Sequence, residues 1–204
     1  MIVDPSPEIA QDVYKLLTGA VVPRPIAFVS TVNGAGRPNL AAFSFFTVVS
    51  ANPPVICFSP MVRASDGKHK DTLNNIEQTR EFTVNIVSED FAAQMNKTAP
   101  EFPPDVNEFE VSGLTPVPSD LIKAPRVKES RIQMECRLLQ VIHVSEKPLG
   151  GSLVIGEVVR FHFADELAIE NSKIDPARLK AIGRMGGPAY VRTTDLFDLQ
   201  RPKV

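Results

Sequence analysis

A segment that could bind an anion runs from Arg63 to Thr72 and leads into a predicted helix. Arg63 and Lys70 are cationic, and Thr72 carries a hydroxyl. The first turn of a helix has backbone N–H groups without acceptors and the positive end of the helix dipole, so it can bind a phosphate. The apolar run 54–59 before it predicts a buried strand. The cationic segment and the apolar strand together indicate a ligand with a charged end and a flat apolar body. The simpler alternative is that Asp71 or Thr72 only caps the helix.

Polar residues at the ends of other predicted strands suit the edges of such a flat ring. Ser30 and Thr31 end one strand, the run 39–46 mixes small and polar groups with apolar ones, and Ser50, Ala51 and Asn52 follow. Apolar walls with a few hydroxyl and amide groups are typical of sites for flat heteroaromatic ligands. These residues therefore favour a nucleotide or flavin site.

Other kinds of chemistry find less support in the sequence. A serine hydrolase would need Ser30, Ser44 or Ser50 beside a histidine, but no Gly-x-Ser-x-Gly motif is present. The histidines, His69, His143 and His162, and the two cysteines lack the spacing of zinc or iron ligands. We therefore predict no catalytic side chain and no metal site, with His69 as a neighbour of the phosphate or a solvated side chain.

The composition predicts one domain over residues 1–204. The chain is 43% hydrophobic and 23% charged, with a formal net charge of −2, which gives no support for binding to nucleic acid or to an anionic membrane. No segment is long and apolar enough to span a bilayer, and the N-terminus lacks the pattern of a signal peptide. Cys57 and Cys136 lie in apolar runs, as expected for reduced thiols in a cytoplasmic protein.

The hydrophobic periodicity predicts a mainly β protein. Alternating patterns predict long strands near Ile132–Leu138 and Leu153–Phe161. The alternating apolar set of the second strand is Leu153, Ile155, Val159 and Phe161. A proline-rich excursion over residues 99–126 is predicted to carry a brief strand near Val111–Leu114. Further strands are predicted at residues 26–31, 40–50, 55–58 and 82–86, and helices at residues 8–17, 70–80, 91–95 and 175–181. Gly19 is expected to end the first helix. Many strands with few helices favour a closed antiparallel barrel with peripheral helices.

The chain resembles the flavin reductase-like family of FMN-binding split barrels, in its flavoredoxin-type branch. The resemblance covers roughly residues 18 to 200, and the Lys70-Asp71-Thr72 triplet before a helix is its most specific part. The other matching segments are 23–31, 39–46, 50–54, 81–85, 156–158 and 183–187.

This resemblance implies a Greek-key split barrel that forms a homodimer, with FMN near the subunit interface. It implies that Arg63, Lys70, Asp71 and Thr72 meet the phosphate, although a carboxylate such as Asp71 suits the helix N-cap or the orientation of Lys70 better. It further implies that the ring and ribityl chain are lined by Ser30, Thr31, Ser44, Ser50, Ala51 and Asn52. Arg184 and Gly186 would close the site.

The family resemblance implies an FMN-dependent oxidoreductase that takes electrons from NADH or NADPH and passes them to a flavin or another small acceptor. Members that use NADH efficiently often carry Gly-Asp-His where this chain has Leu149-Gly150-Gly151. An FMN-binding electron carrier that serves a partner redox protein is therefore a second hypothesis. A non-redox module for another ligand, such as pyridoxal phosphate or haem, is a third, because one fold hosts many functions.

Overall fold

The structure, a computed structural model, describes residues 2–167 and 172–202. Its centre is a seven-stranded antiparallel sheet in the order β2-β1-β5-β8-β9-β4-β3. The strands are β1 (Ala27–Val32), β2 (Pro38–Phe43), β3 (Phe46–Ala51), β4 (Pro54–Phe58), β5 (Glu81–Ile86), β6 (Pro116–Val117), β7 (Arg126–Val127), β8 (Ile132–His143), β9 (Ser152–Phe163), β10 (Ile182–Arg184) and β11 (Tyr190–Arg192). The last two pair with each other, as do β6 and β7. The predicted mainly β class is confirmed.

The two edges of the large sheet are neighbours along the chain. β2 and β3 stand at opposite ends of the strand order, yet only Ser44 and Phe45 separate them. A connection this short forces the sheet to curl until its edges meet at one corner. Within the described residues no hydrogen-bonded ladder joins β2 to β3, so the curled sheet is an open barrel. The closed barrel that we predicted is not observed in the described chain.

The core lies inside this curl, and one strand turns a different face to it than the sequence predicted. Phe58 and Phe82 are fully buried with ring centroids 5.6 Å apart. On β9 the buried positions are Val154 and Val158, not the predicted set that includes Phe161, which is 44% exposed. Because side chains alternate along a strand, the prediction had selected the wrong face.

In the described residues, five α-helices accompany the sheet: α1 (Ala10–Ala20), α2 (Asp71–Thr79), α3 (Ala92–Lys97), α4 (Glu108–Ser112) and α5 (Pro176–Leu179). Two expectations about them were wrong. Gly19 does not end α1, which continues to Ala20, because glycine weakens a helix by only about 1 kcal/mol. The segment predicted as a strand near Val111–Leu114 is not a strand: Val111 and Ser112 end α4, and Gly113 is its C-cap. The start of α4 is capped by the Asn107 side chain, which accepts from the Phe109 N–H. No helix in the described part of the chain is long and apolar enough to cross a membrane.

Candidate functional site

A cleft of ≈ 230 Å³ opens where the start of α2 meets the end of β2 and the segment after α3. Six of the residues predicted from the sequence line it: Ser44, Arg63, Lys70, Asp71, Thr72 and Arg184. They come from four separate parts of the chain, so the fold brings together groups that the sequence only suggested as a set. Apolar side chains, among them Ile26, Phe43 and Phe102, form the rest of its wall.

Arg63 is a largely buried cation of the cleft, with a side chain that is 13% exposed. Its Nη2 donates to an Asp71 carboxylate oxygen at 2.9 Å, and its Nη1 lies 3.8 Å from Asp66. Its Nε is buried and is the one side-chain nitrogen or oxygen atom of that kind, among the described residues, without a hydrogen-bond partner. Buried donors are normally satisfied, so this unpaired N–H is an unfilled hydrogen-bonding group in a residue that lines the cleft.

Lys70 occupies the N-cap of α2 and makes no side-chain capping hydrogen bond there. Its Nζ lies 3.6 Å from a Glu101 oxygen, and the same Glu101 carboxylate accepts a hydrogen bond from Ser65. The prediction that Asp71 or Thr72 caps this helix was wrong, because both lie inside the first turn and the Asp71 carboxylate is paired with Arg63. The first backbone N–H groups of α2 consequently have no carboxylate cap, which leaves the positive end of the helix dipole at the cleft.

Thr72 and Glu108 form the floor of the cleft. Thr72 is buried, and its Oγ1 accepts a 2.9 Å hydrogen bond from Asn39 Nδ2, which holds α2 against β2. Glu108 is also buried, and its carboxylate accepts from the Leu40 N–H at 3.1 Å. Burial raises the pKa of Glu108, although its backbone hydrogen bonds oppose this shift. The sequence reasoning missed Glu108 because it treated residues 99–126 as a loop with a strand.

Arg24 fixes the corner at which β2 turns into β3. Its buried guanidinium donates to backbone carbonyls of Thr18, Val21 and Met185, and its Nε donates to Ser44 Oγ at 3.2 Å. Burial lowers the pKa of Arg24, yet the arginine stays charged because an ordinary guanidinium pKa lies far above neutral pH.

Arg184 and Gly186 approach the cleft from the C-terminal hairpin. The Arg184 guanidinium stacks on Tyr190, with 4.5 Å from Cζ to the ring centroid, and both residues line the cleft. Gly186 lies against α1, where a Cβ would stand 3.4 Å from Gly19 Cα. Gly186 therefore allows close backbone packing next to the cleft and is not part of its lining in the described chain.

The remaining predicted residues lie elsewhere. Ser30 and Thr31 are fully buried in β1, where Ser30 Oγ donates to the Pro125 carbonyl and Thr31 Oγ1 accepts from Asn75 at 3.0 Å. Ser50, Ala51 and Asn52 lie at the end of β3, where Ser50 Oγ accepts from the Asn52 N–H at 3.2 Å. None of these five is among the described residues that line the cleft, and their contact with a ligand stays a prediction.

The serine–histidine geometry gives no support to a hydrolase. Within the described ranges, the only serine–histidine hydrogen bond joins Ser152 Oγ to His143 Nδ1 at 3.0 Å. Ser30, Ser44 and Ser50 have other partners. Both cysteines are free thiols, and burial raises the pKa of Cys136, which disfavours its reactive thiolate form.

Comparison with known proteins now defines the class of this fold and site. Residues 19–177 match the family described as "Flavin reductase like domain". This match covers well over half of the chain, so the protein belongs to the flavin reductase-like family. The resemblance inferred from the sequence is confirmed.

Solved structures support the same fold over nearly the whole chain. Nitrilotriacetate monooxygenase component B from Bacillus cereus is 40% identical, with a TM-score of 0.89, and the match covers 98% of this chain and 99% of that one. The 2-nitrobenzoate 2-nitroreductase NbaA of Pseudomonas fluorescens is 34% identical, with a TM-score of 0.86 and coverage of 98% and 96%. A flavin reductase candidate with a split barrel domain from Shewanella frigidimarina is 25% identical, with a TM-score of 0.83 and coverage of 98% and 100%. Flavoredoxins under 25% identical share the fold.

Proposed function

We propose that this protein is an FMN-dependent oxidoreductase, with the phosphate of FMN at the start of α2 and the ring in the apolar part of the cleft. The observation that carries the proposal is the Arg63 guanidinium, whose buried Nε has no partner while the rest of the group lines the cleft beside Lys70. A buried, unsatisfied donor costs free energy unless a ligand pairs with it. The family to which the chain belongs makes a flavin the natural ligand.

The donors at the start of α2 suit a phosphate dianion. Lys70 offers a point charge, Arg63 a planar fork of N–H groups, and the first turn of α2 its uncapped backbone N–H groups. Thr72 can donate its hydroxyl hydrogen while its oxygen accepts from Asn39. Asp71 would repel a dianion, so its role is to hold Arg63 in place at 2.9 Å.

When bound, FMN would supply the hydride and electron transfer chemistry. The chain itself then needs only to bind, orient and shield the ring. Phe43 and Phe102 provide apolar wall, and Ser44, held by Arg24, presents a fixed hydroxyl at the corner. No described side chain of the cleft is arranged as an obligatory acid or base, although Glu108 offers a carboxyl whose burial raises its pKa and favours the protonated form.

We propose NADH or NADPH as the electron donor and a flavin or another small molecule as the acceptor. The similarity to a protein described as a nitroreductase supports a direct reduction of small molecules. The second candidate is an electron carrier that serves a partner redox protein. It is favoured by the similarity to a structure described as one component of a monooxygenase, and by Leu149-Gly150-Gly151 in place of Gly-Asp-His.

We further propose a homodimer in the cytoplasm. A cleft of ≈ 230 Å³ is smaller than the ~300–1,000 Å³ typical of sites that enclose a ligand of this size, so a second copy could complete the cover of the ring. Val48 and Val49 on the edge strand β3 are 70% and 55% exposed, and they offer apolar surface for such a contact. Light scattering that detects only monomers of the flavin-loaded protein would contradict this assembly.

One experiment tests the function. The purified chain is loaded with flavin, the spectrum is recorded, and the ligand released by denaturation is identified by mass spectrometry. The loaded protein is then mixed anaerobically with NADH and separately with NADPH. We expect a yellow protein that releases FMN, and bleaching of the flavin band by one nicotinamide. A colourless protein refutes the proposal, whereas bound FMN that neither nicotinamide bleaches favours the carrier.

A further inference from the structure

Two histidines that are distant in the sequence meet outside the cleft. His69 precedes α2, and His143 ends β8; their rings stack with centroids 5.6 Å apart and planes 4° apart. Glu146, on the turn between β8 and β9, reaches both. One of its oxygens lies 2.6 Å from His69 Nε2, and the other lies 3.5 Å from His143 Nδ1. Three metal-ligating side chains thus present one atom each within 4.8 Å of one another.

A second carboxylate orients His143 from behind. Glu77 on α2 places an oxygen 3.0 Å from His143 Nε2. Because a carboxylate only accepts, this contact fits the tautomer with a hydrogen on Nε2, and in that tautomer Nδ1 carries a lone pair. The Ser152 hydroxyl oxygen lies 3.0 Å from this Nδ1. A histidine whose rear N–H is held by a carboxylate is the arrangement that positions metal ligands.

We propose that His69 Nε2, His143 Nδ1 and the Glu146 carboxylate bind one divalent transition metal ion, with zinc as the preferred ion. Two imidazole nitrogens and one carboxylate oxygen are a recognised ligand set for zinc, with water in the fourth position. Glu77 is the positioning residue of the site. The proposal does not depend on the flavin, since none of these four residues lines the cleft.

The ligands can adjust to the ion without disturbing the core. Zinc bonds of ~2.0–2.2 Å to each ligand require neighbouring ligand atoms to stand roughly 3.3–3.5 Å apart, so the Glu146–His69 pair must open slightly. The side chains of Glu146 and His143 are 63% and 39% exposed. Glu146, the more exposed of the two, can change its rotamer while Glu77 keeps His143 oriented. The bound ion would join the segment before Lys70 to the β8–β9 turn.

In a second cluster of possible metal ligands, the carboxylates already have partners. Asp120, Glu135 and His162 also cluster. Both Glu135 oxygens accept backbone N–H groups, from Asp120 and Leu121, and Asp120 is paired with Arg160 at 2.9 Å. Both Glu135 oxygens are therefore already hydrogen-bonded, and the Arg160 cation lies beside Asp120. This second cluster anchors a loop and is the control for the zinc experiment.

Calorimetric titration of the whole chain with zinc chloride, at neutral pH after removal of metal with a chelator, tests the site. We expect one zinc ion per chain in the wild type and none in the double variant His69→Ala/His143→Ala. Glu77→Ala should keep the stoichiometry and weaken zinc binding about 10- to 100-fold. His162→Gln, which keeps an N–H donor for Glu135, should bind zinc as the wild type does.

The same chains titrated with Co²⁺ provide a spectroscopic readout, because a tetrahedral cobalt site absorbs strongly in the visible range. We expect that absorption in the wild type and in His162→Gln, in Glu77→Ala only at higher cobalt concentration, and not in the double variant. Thermal melts confirm that every variant is folded. A wild type that binds no zinc overturns the proposal. So does a double variant that keeps the ion, or a His162→Gln variant that loses it.

Discussion

Replacing Lys70 with glutamine tests whether the start of α2 binds the phosphate of FMN. A hydrogen bond to a charged group contributes roughly 1.5–3 kcal/mol. Before a ligand binds, Lys70 is paired with Glu101 at 3.6 Å, and both side chains are about a third exposed. A pair at that exposure is worth ~0.2–1 kcal/mol, which the wild type gives up on binding. The net loss in the variant is therefore about 0.5–2.8 kcal/mol, or about a 2- to 110-fold weaker FMN complex.

The assay is a fluorescence titration of the Lys70→Gln chain with FMN and with riboflavin, which has the same ring and ribityl chain but no phosphate. We expect the weaker binding for FMN alone. Lys68→Gln is the matched control, because Lys68 is an exposed lysine of the same segment that does not line the cleft. Equal effects on FMN and riboflavin, or no effect on FMN, would place the phosphate elsewhere and refute the reasoning.

Three other substitutions test the surroundings of the site. Glu101→Gln should free Lys70 and tighten FMN binding up to about 5-fold without changing riboflavin, in the same titration; weaker FMN binding would mean that Glu101 contacts the ligand. Gly156→Ala would place a Cβ 2.7 Å from Phe82 Cε1, and closer to Cζ, inside the core. It should cost about 1–3 kcal/mol and lower Tm by roughly 2–12 °C, whereas an unchanged melt would mean that Phe82 shifts without cost. Burial raises the pKa of Glu108, so the native state holds its proton more tightly, and stability is lost as pH rises above the ordinary carboxyl range. Urea denaturation from about pH 4 to 7 should show Glu108→Gln gaining stability relative to the wild type as pH rises; parallel curves would contradict this.

Local pattern was sufficient to predict most elements and the anion-binding segment. Alternating apolar residues predicted β5, and the apolar run 54–59 predicted β4. Both patterns are local, because a strand buried on one face alternates and a strand buried on both faces is continuously apolar. Arg63, Lys70 and Thr72 lie close together along the chain, so their meeting at one helix start needed no knowledge of the fold.

The partners of these residues could not be predicted in the same way. Lys70 contacts Glu101, and Arg24 donates to the Met185 carbonyl. Both contacts join segments that are distant in the sequence, so local hydrophobic periodicity could not predict them. The stacking of His69 on His143 has the same origin, since the spacing of the histidines along the chain says nothing of it. On β9 both faces carry apolar residues, so alternation alone could not decide that Val158 points inward and Phe161 outward.

The pairing of the two cleft cations indicates how an anion would enter. Arg63 is held by Asp71, whose backbone is fixed in the first turn of α2. Glu101, the partner of Lys70, lies outside every helix and strand. The Glu101 contact is therefore the one that an incoming phosphate can displace at low cost, while the Arg63–Asp71 pair stays in place. We expect the segment after α3 to move away from Lys70 when FMN binds, so that the excursion over residues 99–126 contributes its first residues to the entrance of the site.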